Sequence, residues 1–273
     1  MKQYFIGLPD ADYLHQIPIS AEAFAHIHHA RAYLQAAVAW DAQYRIMMMN
    51  FEDWANTAAS WTADCAVTSS VQQTRQQMCR LQQRVLNVLF GTRLYKERLT
   101  AIWKPVLAES IFTQLEKPFK QYEIDHRAFR MATALQNHVQ KYGLSLATLA
   151  LSTAKTAPAL RVWLNKQALA DSGVFKEDVL AQMCPQEDLL ALLAEYQQVL
   201  QQIQQAGESM AWMQKAQADA QQCLRRYQNL FTEATQCHSH PIIQVFSQEE
   251  GKIAACQPLF VPGSAALVSE NQQ

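Results

Sequence analysis

The chemistry this sequence offers is concentrated in one stretch, Tyr122 to Leu151. Arg127, Arg130, Asn137 and Lys141 fall, with Ala134 between them, at spacings of three and four, and His138 stands at the edge of the row. That spacing puts side chains on one stripe of an α-helix. Two guanidiniums, an ammonium and a neutral amide beside an imidazole form either a solvated flank or a surface that holds an anion such as a phosphate. Catalysis on such an anion needs a proton carrier that titrates near neutrality, and His138 is the candidate catalytic residue.

Other reactive residue types give less. His26 and His29 are three apart, a spacing that presents two imidazoles on one helical face, but no acidic ligand stands beside them and no H-E-x-x-H motif occurs. His238-Ser239-His240 is a short loop-borne pair. No metal site and no cofactor are expected from either. The six cysteines (Cys65, Cys79, Cys184, Cys223, Cys237 and Cys256) contain no C-x-x-C pair and are dispersed, as reduced thiols in a cytoplasmic protein would be. There is no G-x-S-x-G, and seven scattered glycines make no phosphate-cradling loop. A formal charge of -1 excludes a global basic field that would draw the chain to nucleic acid, though a local patch can still do so. The opening MKQYFIGLPDADYL has no signal-peptide core, and no run reaches the ~18 apolar residues of a membrane span.

The elements that must position the stripe are mostly helical. With 49% hydrophobic residues, few glycines, and abundant Ala, Leu and Gln, the chain has the material for a large helical core. Residues 1–19 read as an irregular lead-in. Ser20 is a helix N-cap, and a long helix runs from Ala21 to near Ala63 on a seam of Tyr33, Ala37, Trp40, Tyr44, Met47, Phe51, Trp54 and Ala58. After Thr68-Ser69-Ser70, a second long helix spans Val71 to Trp103, with Met78, Leu81, Val85, Val88, Thr92, Tyr95 and Leu99 on its seam. Joined by a short polar turn, the two should lie antiparallel. A short helix from Val106 to Leu115 should end before Pro118. The stripe's own helix follows from about Tyr122, with Ile124, Ala128, Met131, Leu135, Val139 and Tyr142 as its apolar face and Gly143 as its stop.

Beyond Gly143, Ser145–Ser152, with Leu146, Leu149 and Leu151, and Ala159–Asn165, with Leu160, Val162, Trp163 and Leu164, read as a small β-hairpin. Helix resumes near Glu187 and runs to about Ala234, with a phase slip at Ile203–Ala206 beside Gly207 that marks a kink or a junction. Ile242–Phe246 and Leu259–Val261, around Gln248-Glu249-Glu250-Gly251, suggest a last hairpin before a loose tail. The expected fold is therefore an all-α helical bundle built on a long antiparallel helix pair, with a small inserted β-hairpin at about 145–165. Its parts are a lead-in at 1–19, a bundle at 20–236, and a C-terminal extension and tail at 237–273.

The stretch Leu135-Gln136-Asn137-His138-Val139-Gln140-Lys141-Tyr142-Gly143-Leu144, preceded by a helix containing Arg84-Val-Leu-Asn-Val-Leu-Phe-Gly-Thr-Arg-Leu-Tyr, resembles the core of bacterial HEPN-type helical proteins. Their motif is an Arg, four to six residues, then a His. Here Gln136 stands at the arginine, Asn137 matches its usual follower, and Lys141 stands at the histidine. The resemblance implies a cytoplasmic dimer in a bacterial stress or defence setting. In HEPN nucleases the two motif residues cleave RNA without a metal. Lysine is a poor proton carrier unless strongly perturbed, so with both residues replaced the resemblance implies a non-enzymatic binding or scaffold protein. Such a protein would contact another protein or a second copy of itself, or RNA, and no membrane. The alternative it leaves is a metal-independent ribonuclease or toxin–antitoxin-like component using Arg130, Asn137 and His138.

Overall fold

In the computed structural model, the residues described are 2–7, 16–64, 71–144, 149–153, 160–236, 243–250 and 252–263. In chain order the elements are β1 (Gln3–Gly7), β2 (Gln16–Ile19), α1 (Ala21–Asp64), α2 (Val71–Trp103), α3 (Glu109–Asp125), α4 (Arg127–Tyr142), β3 (Leu149–Thr153), β4 (Leu160–Asn165), α5 (Lys166–Asp171), α6 (Glu177–Ala181), β5 (Gln186–Asp188), α7 (Leu189–Glu208), α8 (Ala211–Thr235), β6 (Gln244–Glu249) and β7 (Lys252–Pro258). The fold is predominantly α, as expected. None of the helices is long and apolar enough to cross a membrane among the described residues.

The long pair forms as its seams dictate. Ser20 Oγ accepts the Ala23 amide at 3.0 Å and so caps α1, which runs 44 residues. Met47, Phe51, Trp54 and Ala58 on α1, and Met78, Leu81, Val85, Val88, Tyr95 and Leu99 on α2, are all buried. Arg84 pairs with Asp53 at 2.9 Å and the Tyr44 and Tyr95 rings lie 6.1 Å apart, so the helices are antiparallel. Between those contacts Gly91 faces Asn50. A β-carbon there would come within 2.6 Å of the Asn50 side-chain amide nitrogen, so a larger residue would require the end of that side chain to move.

The chain clusters into two compact units. The first comprises Met1–Asp41, Ile102–Ala108 and Glu208–Gln273. The lead-in is not irregular where it is described. β1 and β2 pair antiparallel, and β1 pairs antiparallel with β6, giving a four-stranded sheet in the order β2-β1-β6-β7. The expected last hairpin is present, but its second strand is β7 at Lys252–Pro258 rather than Leu259–Val261. The chain turns tightly after Glu249, so pairing begins at once with Lys252, while Leu259 and Val261 are buried just past the strand. Ile6, Val245 and Phe246 of the sheet are buried, as are Ile27, Leu34 and Trp40 of α1, Trp103, and Leu224 and Phe231 of α8.

The second unit comprises Ala42–Ala101 and Glu109–Gly207. Two expectations change here. Pro118 does not end a helix; it lies inside α3. The buried row Phe112, Leu115 and Phe119 continues across it, and that packing offsets the backbone hydrogen bond that proline cannot donate. The helix expected to start at Tyr122 is instead split at His126, whose backbone is extended (φ -99°, ψ 118°). Phe119 and Ala128, nine residues apart, would point about 180° from each other on an unbroken helix. The break lets both faces reach the core, and it leaves Ile124, assigned to the apolar face, 67% exposed.

The hairpin at 145–165 is present as the antiparallel pair β3–β4, and the unanticipated β5 adds a third strand. Its residues 145–148 and 154–159 lie outside the described residues. Asp188 Oδ1 then accepts the Leu190 amide at 2.9 Å to start α7, which ends at Glu208 just past the phase slip.

Candidate functional site

α4 carries the stripe. Its start has no capping side chain, and its end is Gly143 at φ 73° and ψ 176°, a positive-φ conformation that glycine adopts without strain. Ala128, Phe129, Met131, Ala132, Leu135, Gln136, His138 and Val139 are buried.

The stripe's residues do not converge on a common point. Arg127 is drawn to its carboxylate neighbours. Nη2 lies 2.5 Å from Glu187 Oε2 and Nη1 lies 3.9 Å from Glu195 Oε2, while Nε donates to the Gln182 carbonyl at 3.1 Å. Arg130 Nη1 meets Asp178 Oδ2 at 3.3 Å. Both guanidiniums are thus neutralised within the protein. Asn137 and Lys141 are exposed toward the other end of the helix, with the Lys141 ammonium 5.2 Å over the Tyr142 ring. At 1.5 Å per residue, Arg127 and Lys141 are separated by roughly 21 Å along the axis, and Arg130 and His138 by roughly 12 Å. Arg130 is turned to Asp178 and His138 to Ser172, so the two are not aimed at one anion.

His138 is buried rather than poised at an edge. Ser172 Oγ donates to the Leu169 carbonyl at 2.6 Å, so His138 Nδ1, 3.0 Å away, is the donor to Oγ. The ring packs against Tyr142 and Phe175. Burial lowers its pKa from the ordinary 6.5. The half-buried His28 is lowered as well, by burial first and by Arg31 second. Above 6.5 both rings are neutral folded or unfolded. As pH falls below 6.5, the unfolded chain takes up protons that the folded chain refuses, so stability is lost. The urea midpoint is expected to drop on acidification from pH 7 to 5, and His138→Gln with His28→Gln should flatten that slope. An unchanged slope in the double variant would remove both histidines from the account.

Gln136, at the place of the motif arginine, is also buried. Its Nε2 donates to the Leu89 carbonyl at 2.8 Å and to Thr92 Oγ1 at 2.7 Å, and Thr92 Oγ1 in turn donates to Leu89 at 2.8 Å. Nearby, Tyr95 donates to Gln204 Oε1 at 2.5 Å. Burial pushes the Tyr196 hydroxyl up to about 12, against the opposing influence of Thr92 and Gln136, so it stays protonated. These groups tie α4 and α7 to α2 through a buried polar cluster. Sequence reading missed it because a glutamine among apolar neighbours carries no periodic signal of its own.

Among the described residues no group of three or more His, Cys, Asp or Glu is arranged to hold a metal ion. His238 and His240 lie outside the described residues.

The feature of this unit that lacks an internal explanation is apolar. Ile46 and Met49 on α1 are 51% and 61% exposed, and Phe90 and Leu94 on α2 are 42% and 44% exposed. With Asn50 against Gly91, the antiparallel helices bring Ile46 level with Leu94 and Met49 level with Phe90. A signal for them exists in the sequence. Ile46-Met47-Met48-Met49 and Val88-Leu89-Phe90 are consecutive apolar runs, and a helix turns 100° per residue, so not all of either run can face one core. Comparison with family models, with curated proteins and with solved structures finds no match to the chain.

Proposed function

We propose that this chain is a non-enzymatic helical binding protein that acts as a homodimer through the outer face of its α1–α2 pair. The observation that carries the reading is the group of four large apolar side chains, Ile46, Met49, Phe90 and Leu94, exposed together on two adjacent helices. Apolar groups clustered on a surface mark contact sites more often than scattered ones do. A second copy suits this face because its charges are already paired within the chain. Arg84 is bonded to Asp53 and Arg93 to Glu97, each at 2.8–2.9 Å, so two copies meet without a block of like charge. The apolar residues supply the dry centre and these ion pairs the polar rim of an interface.

Binding is favoured over ribonuclease action because the arginines of the stripe are engaged by carboxylates and His138 is buried far from Arg130 along the helix. The reading keeps the dimeric, binding side of the HEPN resemblance. A cytoplasmic location belongs to the same proposal and rests on the dispersed cysteines, of which Cys79, Cys184 and Cys223 form no disulfide among the described residues.

Sedimentation velocity over a concentration series tests it. A dimer is expected. Ile46→Asp with Leu94→Asp should weaken self-association by about tenfold or more while helicity is retained. A wild type that stays monomeric throughout, or a dimer indifferent to the double substitution, would refute the assignment.

A further inference from the structure

Within the first unit, the N-terminal part of α1 and α8 run antiparallel, because the Tyr33 hydroxyl bonds the Met213 carbonyl at 3.0 Å at one end while Glu22 acts on Tyr227 at the other. Between them is an open cleft of about 520 Å³. That volume falls in the range of small-molecule sites, roughly 300–1,000 Å³. Each helix offers the cleft a single stripe. His26, His29, Ala30 and Tyr33 come from α1 at steps of three, one and three; Ala216, Asp219, Ala220, Cys223, Arg226 and Tyr227 come from α8 at steps of three, one, three, three and one. Alanine at 30, 216 and 220 makes the floor, because larger side chains there would fill the space between the helices.

The polar groups around that floor are uncommitted. Among the described residues, His26, His29, Asp219 and Arg226 make no hydrogen bond or ion pair, in contrast to Arg127 and Arg130 in the other unit. They are also separated by charge. Asp219 and Arg226 are seven residues apart on one stripe, roughly 10 Å along the axis. The antiparallel register puts His29 toward the Asp219 end and His26 toward the Arg226 end. Tyr227 stands beside Arg226. Burial raises the Cys223 thiol and, ahead of Cys223 and the Glu22 carboxylate and against Arg226, the Tyr227 hydroxyl, so at neutral pH both are protonated; an oxyanion at this end meets Arg226 directly and Glu22 only beyond Tyr227. The Arg226 end therefore offers a guanidinium, a phenol and an imidazole to an oxyanion, and the alanine floor offers an apolar bed leading away from it.

The geometry points to a binding site for a small organic oxyanion, its carboxylate or phosphate group held at Arg226, His26 and Tyr227 and its apolar body lying on Ala30, Ala216 and Ala220. This site is independent of the α1–α2 face, and its failure would leave the dimer untouched.

The test is calorimetric titration of the full chain with phenyl phosphate, benzoate, inorganic phosphate and, as the neutral control, benzyl alcohol. Saturable binding of at least one aryl oxyanion is expected, about tenfold or more tighter than benzyl alcohol. The preference between phenyl phosphate and benzoate identifies the head group. Arg226→Gln, at an exposed position, should weaken binding by about tenfold, and Ala216→Leu should do the same by filling the floor. Inorganic phosphate should bind more weakly than phenyl phosphate, because it leaves the floor empty. No saturable binding of either aryl oxyanion would overturn the proposal. So would benzyl alcohol binding as tightly as the oxyanions, or affinities that both substitutions leave unchanged.

Discussion

Replacing Arg127 by alanine is expected to lower the stability of the fold by about 2–3 kcal/mol. The residue is exposed enough to look like part of a surface, yet its partner is not. The Glu187 side chain is only 8% exposed, and its Oε2 also accepts the Cys184 amide at 3.1 Å. Removing Arg127 leaves that carboxylate in a place with little water and, among the described residues, no other cation at bonding distance. The penalty falls below the 3–5 kcal/mol of a wholly buried pair because the guanidinium is itself 34% exposed, so water can replace part of it. Glu187→Gln should cost less, under about 1 kcal/mol, since an amide needs no counter-charge. Urea unfolding of the two variants checks this. Equal losses would mean that the pair acts by shape, and no loss in Arg127→Ala would return Arg127 to the role of a free surface cation.

The second large effect is expected at Trp103, in the other unit. The indole is fully buried and meets Tyr33 edge-on at 5.2 Å and Trp40 at 6.0 Å between ring centroids. Trp103→Ala should cost about 3–5 kcal/mol, through lost apolar burial and the cavity left between two aromatic rings. Its Nε1 has no hydrogen-bond partner among the described residues, so there the polar atom adds nothing that phenylalanine lacks. Trp103→Phe should therefore lose less than half as much. The comparison separates packing from hydrogen bonding, and a Phe variant as damaged as the Ala variant would show that the indole nitrogen matters after all.

The long helices were legible in the sequence because their cores repeat at intervals of three and four over many turns. The seam from Tyr33 to Ala58 carries enough large apolar residues that no local alternative competes. The break at His126 was not legible. It arises from the need to turn two apolar rows, ending at Phe119 and starting at Ala128, toward the same core, which is a tertiary requirement. The four-stranded sheet was hidden for a related reason. β1 takes its partner from β6, and nothing in QYFIG states that QVFSQE is waiting for it. For the stripe, periodicity located Arg127, Arg130, Asn137 and Lys141 correctly on one side of α4, but the carboxylates that engage two of them come from Asp178, Glu187 and Glu195. Spacing along a helix says which residues share a face, whereas the content of the facing surface belongs to other segments.

The pairing of β1 with β6 also has a consequence for how the chain is made. Phe5 pairs with Phe246, so some 240 residues separate the partners. At about 5–20 residues per second, a ribosome takes roughly 12–48 s to deliver the second strand after the first. Throughout that interval β1 has only β2 beside it, and two strands alone are marginal in water. The edge that β6 will occupy stands open on the nascent chain, where Tyr4, Phe5 and Ile6 are available to any other strand. The second unit has its whole sequence out of the ribosome before the first, so the sheet is the last part of the molecule to close and the part a holding chaperone would have most reason to guard.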